Sequence, residues 1–196
     1  LNLYRPKLVV TSSALHANLA FKLMMAEWRK DGTLLHYQQL GGGYGFDQRN
    51  AIEEYEMRNS DRFYSWGWTG KSGKVFPLSP AMPQINHSPS NFKILLSCLD
   101  LPKVSYRLMF TPQPGGTIEW MHENTLDFLR CLANRDALTI SPYPNDYGWG
   151  IEASMRSVVP EAKFNKTYRG TQRYLTFRLV VHNYLGTSWL ETLGLN

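Results

Sequence analysis

Short runs of apolar residues, some continuous and some alternating with polar residues, recur along the chain and predict strands. Residues 7–11 are rich in β-branched side chains, residues 63–68 are aromatic, and residues 173–182 alternate between apolar and polar positions. Runs of about four to eight such residues are typical of strands. Further strands are predicted over residues 92–99, 103–110, 117–120 and 138–140.

Two segments have the wider spacing of a helix. Residues 125–134 place leucines on one face after Asn124, a favourable helix cap. Residues 13–30 fit two structures: a helix, or the first arm of a hairpin that turns at Asp31-Gly32. Their Ala, Leu, Met and Lys content slightly favours the helix. A shorter helical turn is predicted over residues 51–58, and the remaining glycine- and proline-rich segments are predicted to be loops.

These elements predict one domain over residues 1–196 that is mainly β. Many strands, about two helices and no regular strand–helix alternation favour a β-sandwich or barrel-like fold with one or two helices. An α+β arrangement is the alternative.

Composition adds a prediction about the surface. The 196 residues carry 43% hydrophobic and 13% aromatic side chains, but only 19% charged ones. A surface this poor in charge is typical of a protein that is covered by copies of itself or by a partner. The net charge of +5 comes from scattered basic residues, so nucleic acid remains an alternative partner that is not favoured. No membrane span is predicted.

Sequence motifs for catalysis are missing, so we predict that the chain is not an enzyme and binds no cofactor or metal. Gly70-Lys71-Ser72 resembles the end of a phosphate-binding loop, but Ser65 stands where that motif needs glycine. Cys98 and Cys131 lie in apolar runs and are interpreted as buried free thiols. The acidic residues of segment 53–56 are interpreted as solvated surface groups.

Aromatic and glycine-rich loops are the unusual feature of the chain, and we interpret them as interface candidates. Aromatic side chains in loops are good anchors for protein contacts. In the run 63–68, alternation places Phe63 and Ser65 on one side and Tyr64, Trp66 and Trp68 on the other. The interface candidates are Gly43, Tyr44, Gln48, Arg49, Trp66, Trp68, Tyr143, Tyr147 and Trp149.

Two parts of the chain carry a resemblance to a known family. These are the glycine-tyrosine loop 41–49 and the segments 116–149 and 173–184, with their helix, loop and late strand. Together they resemble the distal-tail and minor tail proteins of long-tailed bacteriophages. That resemblance implies a β-sandwich with a helix, assembly into a ring at the tail tip, and no catalytic residues.

The resulting hypothesis is a virion structural protein, a component of the phage tail tip or baseplate. Its expected partners are copies of itself and other virion structural proteins, and its expected location is the virion tail after assembly in the host cytoplasm. Two alternatives stay open: a viral coat or nucleic-acid-associated β-domain, and a carbohydrate-binding β-sandwich.

Overall fold

The computed structural model describes residues 5–70, 72–79, 92–104, 115–166 and 171–195. Contacts divide the chain into two compact units, residues 1–82 and residues 83–196. Each unit contains one four-stranded sheet. This division into units does not test the expectation of a single domain over residues 1–196, which therefore stays a prediction.

The first unit alternates strands and helices. Its elements are β1 (Leu8–Thr11), α1 (Ala14–Ala17), α2 (Leu19–Lys30), β2 (Leu34–Gln38), α3 (Ala51–Asn59), β3 (Arg62–Trp66) and β4 (Val75–Leu78). The strands lie in the order β1-β2-β3-β4, and every pair is parallel. The predicted strands at 7–11 and 63–68 are therefore confirmed in β1 and β3.

The ambiguous segment 13–30 forms helices, so the hairpin alternative is wrong. The Asn18 side chain accepts a hydrogen bond from the Phe21 amide at 3.0 Å and caps α2. After α2 the chain turns through Gly32, whose φ of 88° is readily adopted by glycine. β2 then pairs in parallel with β1, with Leu34 opposite Leu8, an arrangement that a tight hairpin does not produce.

Aromatic rings fill the core of the first unit. Tyr37 and Phe63 are fully buried and stack with their centroids 6.2 Å apart. Phe63 and Ser65 face this side together, as the alternation predicts. Trp68 was predicted on the opposite side, but β3 ends at Trp66, and the Trp68 ring lies 6.0 Å from Phe63.

The second unit has the same strand–helix alternation with a different strand order. Its elements are β5 (Ile94–Ser97), α4 (Gly115–Cys131), β6 (Leu138–Ser141), α5 (Ile151–Val158), β7 (Lys163–Phe164), a 3₁₀ turn (Thr171–Tyr174), β8 (Leu179–His182) and α6 (Thr187–Leu193). The order across the sheet is β7-β6-β5-β8, with every pair parallel.

The two central strands of this sheet are buried at every position. All four residues of β5 and all four of β6 are buried. Parallel sheets are commonly covered on both faces, and their central strands are then apolar throughout. Leu129 of α4 and Met155 of α5 are fully buried in one core cluster with Ile140. This continuous burial explains why these strands lack the alternation of a sandwich.

The prediction of a mainly β sandwich or barrel is wrong, because the described chain contains two parallel four-stranded sheets and six helices. The predicted strand 117–120 lies inside α4, which begins at Gly115, so Asn124 is within the helix and does not cap it. Only Leu179–His182 of the predicted strand 173–182 is a strand. Most of the predicted strand 103–110 lies outside the described residues.

Two further expectations about side chains are corrected. Cys131 is exposed, although its apolar neighbours predicted a buried thiol. Glu56 is fully buried, although the acids of segment 53–56 were interpreted as surface groups. Within the described ranges, no helix combines the length and apolar character needed to cross a bilayer.

Leu35 and Leu23 provide a matched test of the first unit's core. Leu35 is 1% exposed and Leu23 is 63% exposed. We expect Leu35→Ala to lower the free energy of unfolding by about 2–5 kcal/mol, because it removes packed methyl groups and leaves a cavity. Leu23→Ala should change it by less than about 0.5 kcal/mol. Urea unfolding followed by tryptophan fluorescence measures both, and equal losses would contradict this assignment of the core.

Candidate functional site

The strand order of the second unit defines where a ligand would bind. From β5 the chain moves to β6 and β7 on one side, and β8 then pairs with the other side of β5. In open parallel sheets, ligands bind outside the carboxyl ends of the strands, at the point where the strand order reverses. The carboxyl ends of β5 and β8 are therefore the candidate site.

Backbone and side-chain hydrogen bonds fix these strand ends together. The Leu99 amide donates to the Asn183 side-chain oxygen at 2.8 Å, and the Cys98 amide donates to the Ser141 carbonyl at 3.0 Å. Three strands of the sheet thus meet in a rigid edge. Burial raises the pKa of the Cys98 thiol to about 12, so this thiol is protonated at neutral pH.

A cavity of about 400 Å³ opens at this edge, and a smaller one of about 70 Å³ adjoins it. The larger cavity receives residues from the strand ends, from the loops after β6 and β7, from the 3₁₀ turn and from α6. Its polar lining side chains include Ser141, Lys166, Arg173, Tyr184, Ser188 and Glu191. A volume of several hundred Å³ is typical of small-molecule sites.

Arg173 is the most unusual charge in the larger cavity. Its guanidinium donates to the Tyr174 hydroxyl and lies 4.6 Å from the centroid of that ring. Its Nε atom is buried without a hydrogen-bond partner, and no carboxylate of the described part of the chain lies within 4 Å of it. A half-buried guanidinium in this state favours an anionic ligand.

Lys166, the second cation of the cavity, already has a partner. Its Nζ atom lies 2.5 Å from a Glu152 carboxylate oxygen, and Arg156 lies 2.9 Å from the other oxygen of the same group. Lys166 and then Arg156 hold the pKa of Glu152 below its usual range. The charge of Lys166 is therefore largely compensated, whereas Arg173 has no ion-pair partner among the described residues.

His182 positions α6 beneath the cavity. Its Nε2 atom lies 2.7 Å from the Thr192 hydroxyl, and its Nδ1 atom lies 3.5 Å from the Ser188 hydroxyl. Burial, together with the nearby charge of Arg173, lowers the pKa of His182 to about 4. The imidazole is neutral at pH 7 and acts as a hydrogen-bonding support for the helix that carries Ser188.

Three interface candidates lie in the loop after β6, next to the site. Tyr143 lines both cavities, and its ring centroid lies 5.5 Å from that of Tyr147. The Trp149 indole donates to the Leu101 carbonyl at 2.8 Å and is half-buried, so it is less exposed than a surface anchor. The loop thus packs on the carboxyl edge of the sheet.

The other interface candidates lie in the first unit. Tyr44 is buried, and its hydroxyl donates to the carboxylate of Glu56 at 3.0 Å. Trp68 donates from its indole to Gln39 at 2.8 Å. Gln48 and Arg49 are exposed, whereas Trp66 and Gly43 are half-buried. Their role in an interface stays a prediction.

The buried Glu56 anchors the glycine-tyrosine loop. Besides Tyr44, it contacts His16, whose Nδ1 atom lies 2.8 Å from a Glu56 carboxylate oxygen. Burial raises the pKa of Glu56, although the hydrogen bonds from Tyr44 and His16 oppose this shift. This cluster ties the loop to α3 in the interior of the first unit.

A family model described as "LIC12162 family transferase" matches residues 2–196. The chain belongs to this transferase family. No curated protein matches it. Membership in a transferase family points to an enzyme and overturns the prediction that the chain has no catalytic activity.

The same match corrects the functional hypothesis. The resemblance to distal-tail and minor tail proteins of bacteriophages is wrong, and so is the assignment as a virion structural protein with its baseplate and ring assembly. The two alternatives, a viral coat or nucleic-acid-associated β-domain and a carbohydrate-binding β-sandwich, are also wrong, since the chain belongs to a transferase family and its described sheets are parallel. Within the described residues, no group of three or more His, Cys, Asp and Glu is arranged to hold a metal ion.

Sequence reasoning did not predict that Arg173, Lys166 and Glu191 line one cavity. Arg173 was predicted to lie in a strand, and the alternation of a strand predicts only on which side of the sheet a residue lies. The useful signal was that polar residues such as Ser97 and Ser141 directly end apolar runs. In a parallel sheet, such residues meet at one edge.

The pKa of His182 yields a test by pH. Because the folded state holds this pKa near 4, below the ordinary 6.5, the unfolded chain binds more protons between these values. Stability should therefore fall as the pH falls from 6.5 towards 4, by about 2 kcal/mol between pH 7.5 and pH 5. We expect His182→Gln to lack this component. The measurement is urea unfolding of both proteins at both pH values, and identical pH dependence would contradict the account.

Proposed function

We propose that this transferase uses a donor that carries a phosphate group, and that Arg173 binds this phosphate at the carboxyl edge of the second sheet. The observation that carries the proposal is the guanidinium of Arg173, whose buried Nε atom has no hydrogen-bond partner among the described residues, in a cavity of about 400 Å³. Its position at the reversal of strand order supports the same conclusion.

A guanidinium suits a phosphate because its planar N–H groups match two phosphate oxygens at once. Ser141 and Ser188 add hydroxyl groups to the same cavity. Both are buried, so their hydrogen bonds to a ligand would form away from bulk water. The site therefore offers one strong charge and several neutral polar groups.

The proposed chemistry is a displacement at the atom that joins the transferred group to the phosphate. The acceptor's nucleophile forms a bond to that atom and releases its proton to solvent, and the bond to the phosphate oxygen breaks. The electron pair of the broken bond stays on the phosphate. Arg173 stabilises the negative charge that develops there, which is the form of catalysis that fixed charges supply best.

Arg173→Ala tests this proposal with inorganic pyrophosphate as the probe. We expect the dissociation constant measured by isothermal titration calorimetry to rise about 10- to 100-fold, because charge-assisted hydrogen bonds are lost. Arg178→Ala is the matched control, since Arg178 is exposed and does not line the cavity. Absence of pyrophosphate binding to the wild-type protein, or an equal loss in both variants, would overturn the proposal.

A further inference from the structure

Glu191 places a second, opposite charge in the same cavity as Arg173. It lies on α6 and lines the cavity of about 400 Å³ together with Arg173 and Ser188. A carboxylate repels phosphate, so a cavity that served only to bind phosphate would gain nothing from it. A ligand with hydrogen-bond donors beside its phosphate would make use of this carboxylate.

Among the described residues, the Glu191 side chain has no hydrogen-bond or ion-pair partner. The side chain is half-buried. Burial raises its pKa, and the charge of Arg173 opposes that shift. The charge of Arg173 is thus near enough to act on the Glu191 carboxyl group, although the two side chains form no ion pair.

Helix geometry directs Glu191 and Ser188 to one side. Residues three positions apart lie on the same face of a helix, and both of these side chains line the cavity. Ser188 is buried, and its hydroxyl lies 3.5 Å from His182, which helps to fix the helix at this point. The cavity wall formed by α6 is therefore rich in hydrogen-bond acceptors, whereas Arg173 only donates.

An ionised carboxylate only accepts hydrogen bonds, and its two oxygens suit two neighbouring hydroxyl groups. We propose that the phosphate of the donor is attached to a polyhydroxylated ring, and that Glu191 accepts hydrogen bonds from adjacent hydroxyls of that ring. This inference rests on the proposed function, because it places the ring beside the phosphate at Arg173. The ligand class is a sugar phosphate, which includes the ribose of a nucleoside diphosphate.

The division of roles between Arg173 and Glu191 gives a direct test with Glu191→Gln. This change keeps the size of the side chain and removes the charge. We expect nucleoside diphosphates or glucose 1-phosphate to bind at least about 10-fold more weakly to the variant, because a charged acceptor is lost. Pyrophosphate, which has no hydroxyl groups, should bind equally well or more tightly, because the repulsion is removed.

The probes also identify the ring. The panel for calorimetry is pyrophosphate, the nucleoside diphosphates UDP, CDP, ADP and GDP, the 2′,3′-dideoxy form of the tightest of these, and glucose 1-phosphate. If ribose is recognised, the dideoxy form should bind to the wild-type protein about as weakly as the parent binds to Glu191→Gln. If glucose 1-phosphate alone shows the loss, the recognised ring is that of the transferred sugar.

Glu123→Gln is the matched control, because Glu123 is exposed on α4 and lies outside the cavity. Thermal unfolding of each variant establishes that it is folded. The inference is overturned if Glu191→Gln weakens pyrophosphate as much as the ring-bearing ligands. It is also overturned if no ring-bearing ligand binds the wild-type protein better than pyrophosphate does. In either case, loss of pyrophosphate binding in Arg173→Ala would leave the proposed function intact.

Discussion

The parallel pairing of β5 with β8 is the interaction on which the candidate site depends. It aligns Ile94 with Leu179 and Ser97 with His182, so that both strands end at the same level. The Leu99 amide and the Asn183 side chain then join the two strand ends by a hydrogen bond of 2.8 Å. A shift of this register would separate the loop after β5 from α6, which carries Ser188 and Glu191. The position of the site is therefore set by backbone pairing, and the side chains depend on it.

Burial of the sheet gives this edge its rigidity. β5 and β6 are buried at every position, and α4 and α5 pack into the same core as Leu138 and Ile140. Close-packed interiors resist displacement, so the polar groups above the strand ends are held in place. The charge of Arg173 is incompletely compensated, so it does not stabilise the folded state. The packing of the surrounding fold supplies that stability instead. Binding sites commonly keep such unsatisfied groups for a ligand.

Some elements of the fold could be predicted from the sequence, and others could not. Apolar runs located β1, β3, β5 and β6, since a strand needs only a short buried segment. α4 was predicted to be shorter because it begins at Gly115-Gly116, residues that are typical of turns. The parallel pairing joins residues far apart in sequence, such as Leu95 with Val180, and no local pattern specifies it. Without that pairing, Arg173 and Glu191 were only two scattered charges, and the site they share could not be predicted.

We propose that Arg173 holds the phosphate of the donor at the carboxyl edge of the second sheet. A crystal structure of the protein with pyrophosphate tests it most directly. The account predicts a phosphate within hydrogen-bond distance, about 2.7–3.2 Å, of the Arg173 guanidinium, in the cavity that Ser188 also lines. Pyrophosphate bound elsewhere on the protein, with the Arg173 guanidinium turned away from it, would contradict the account.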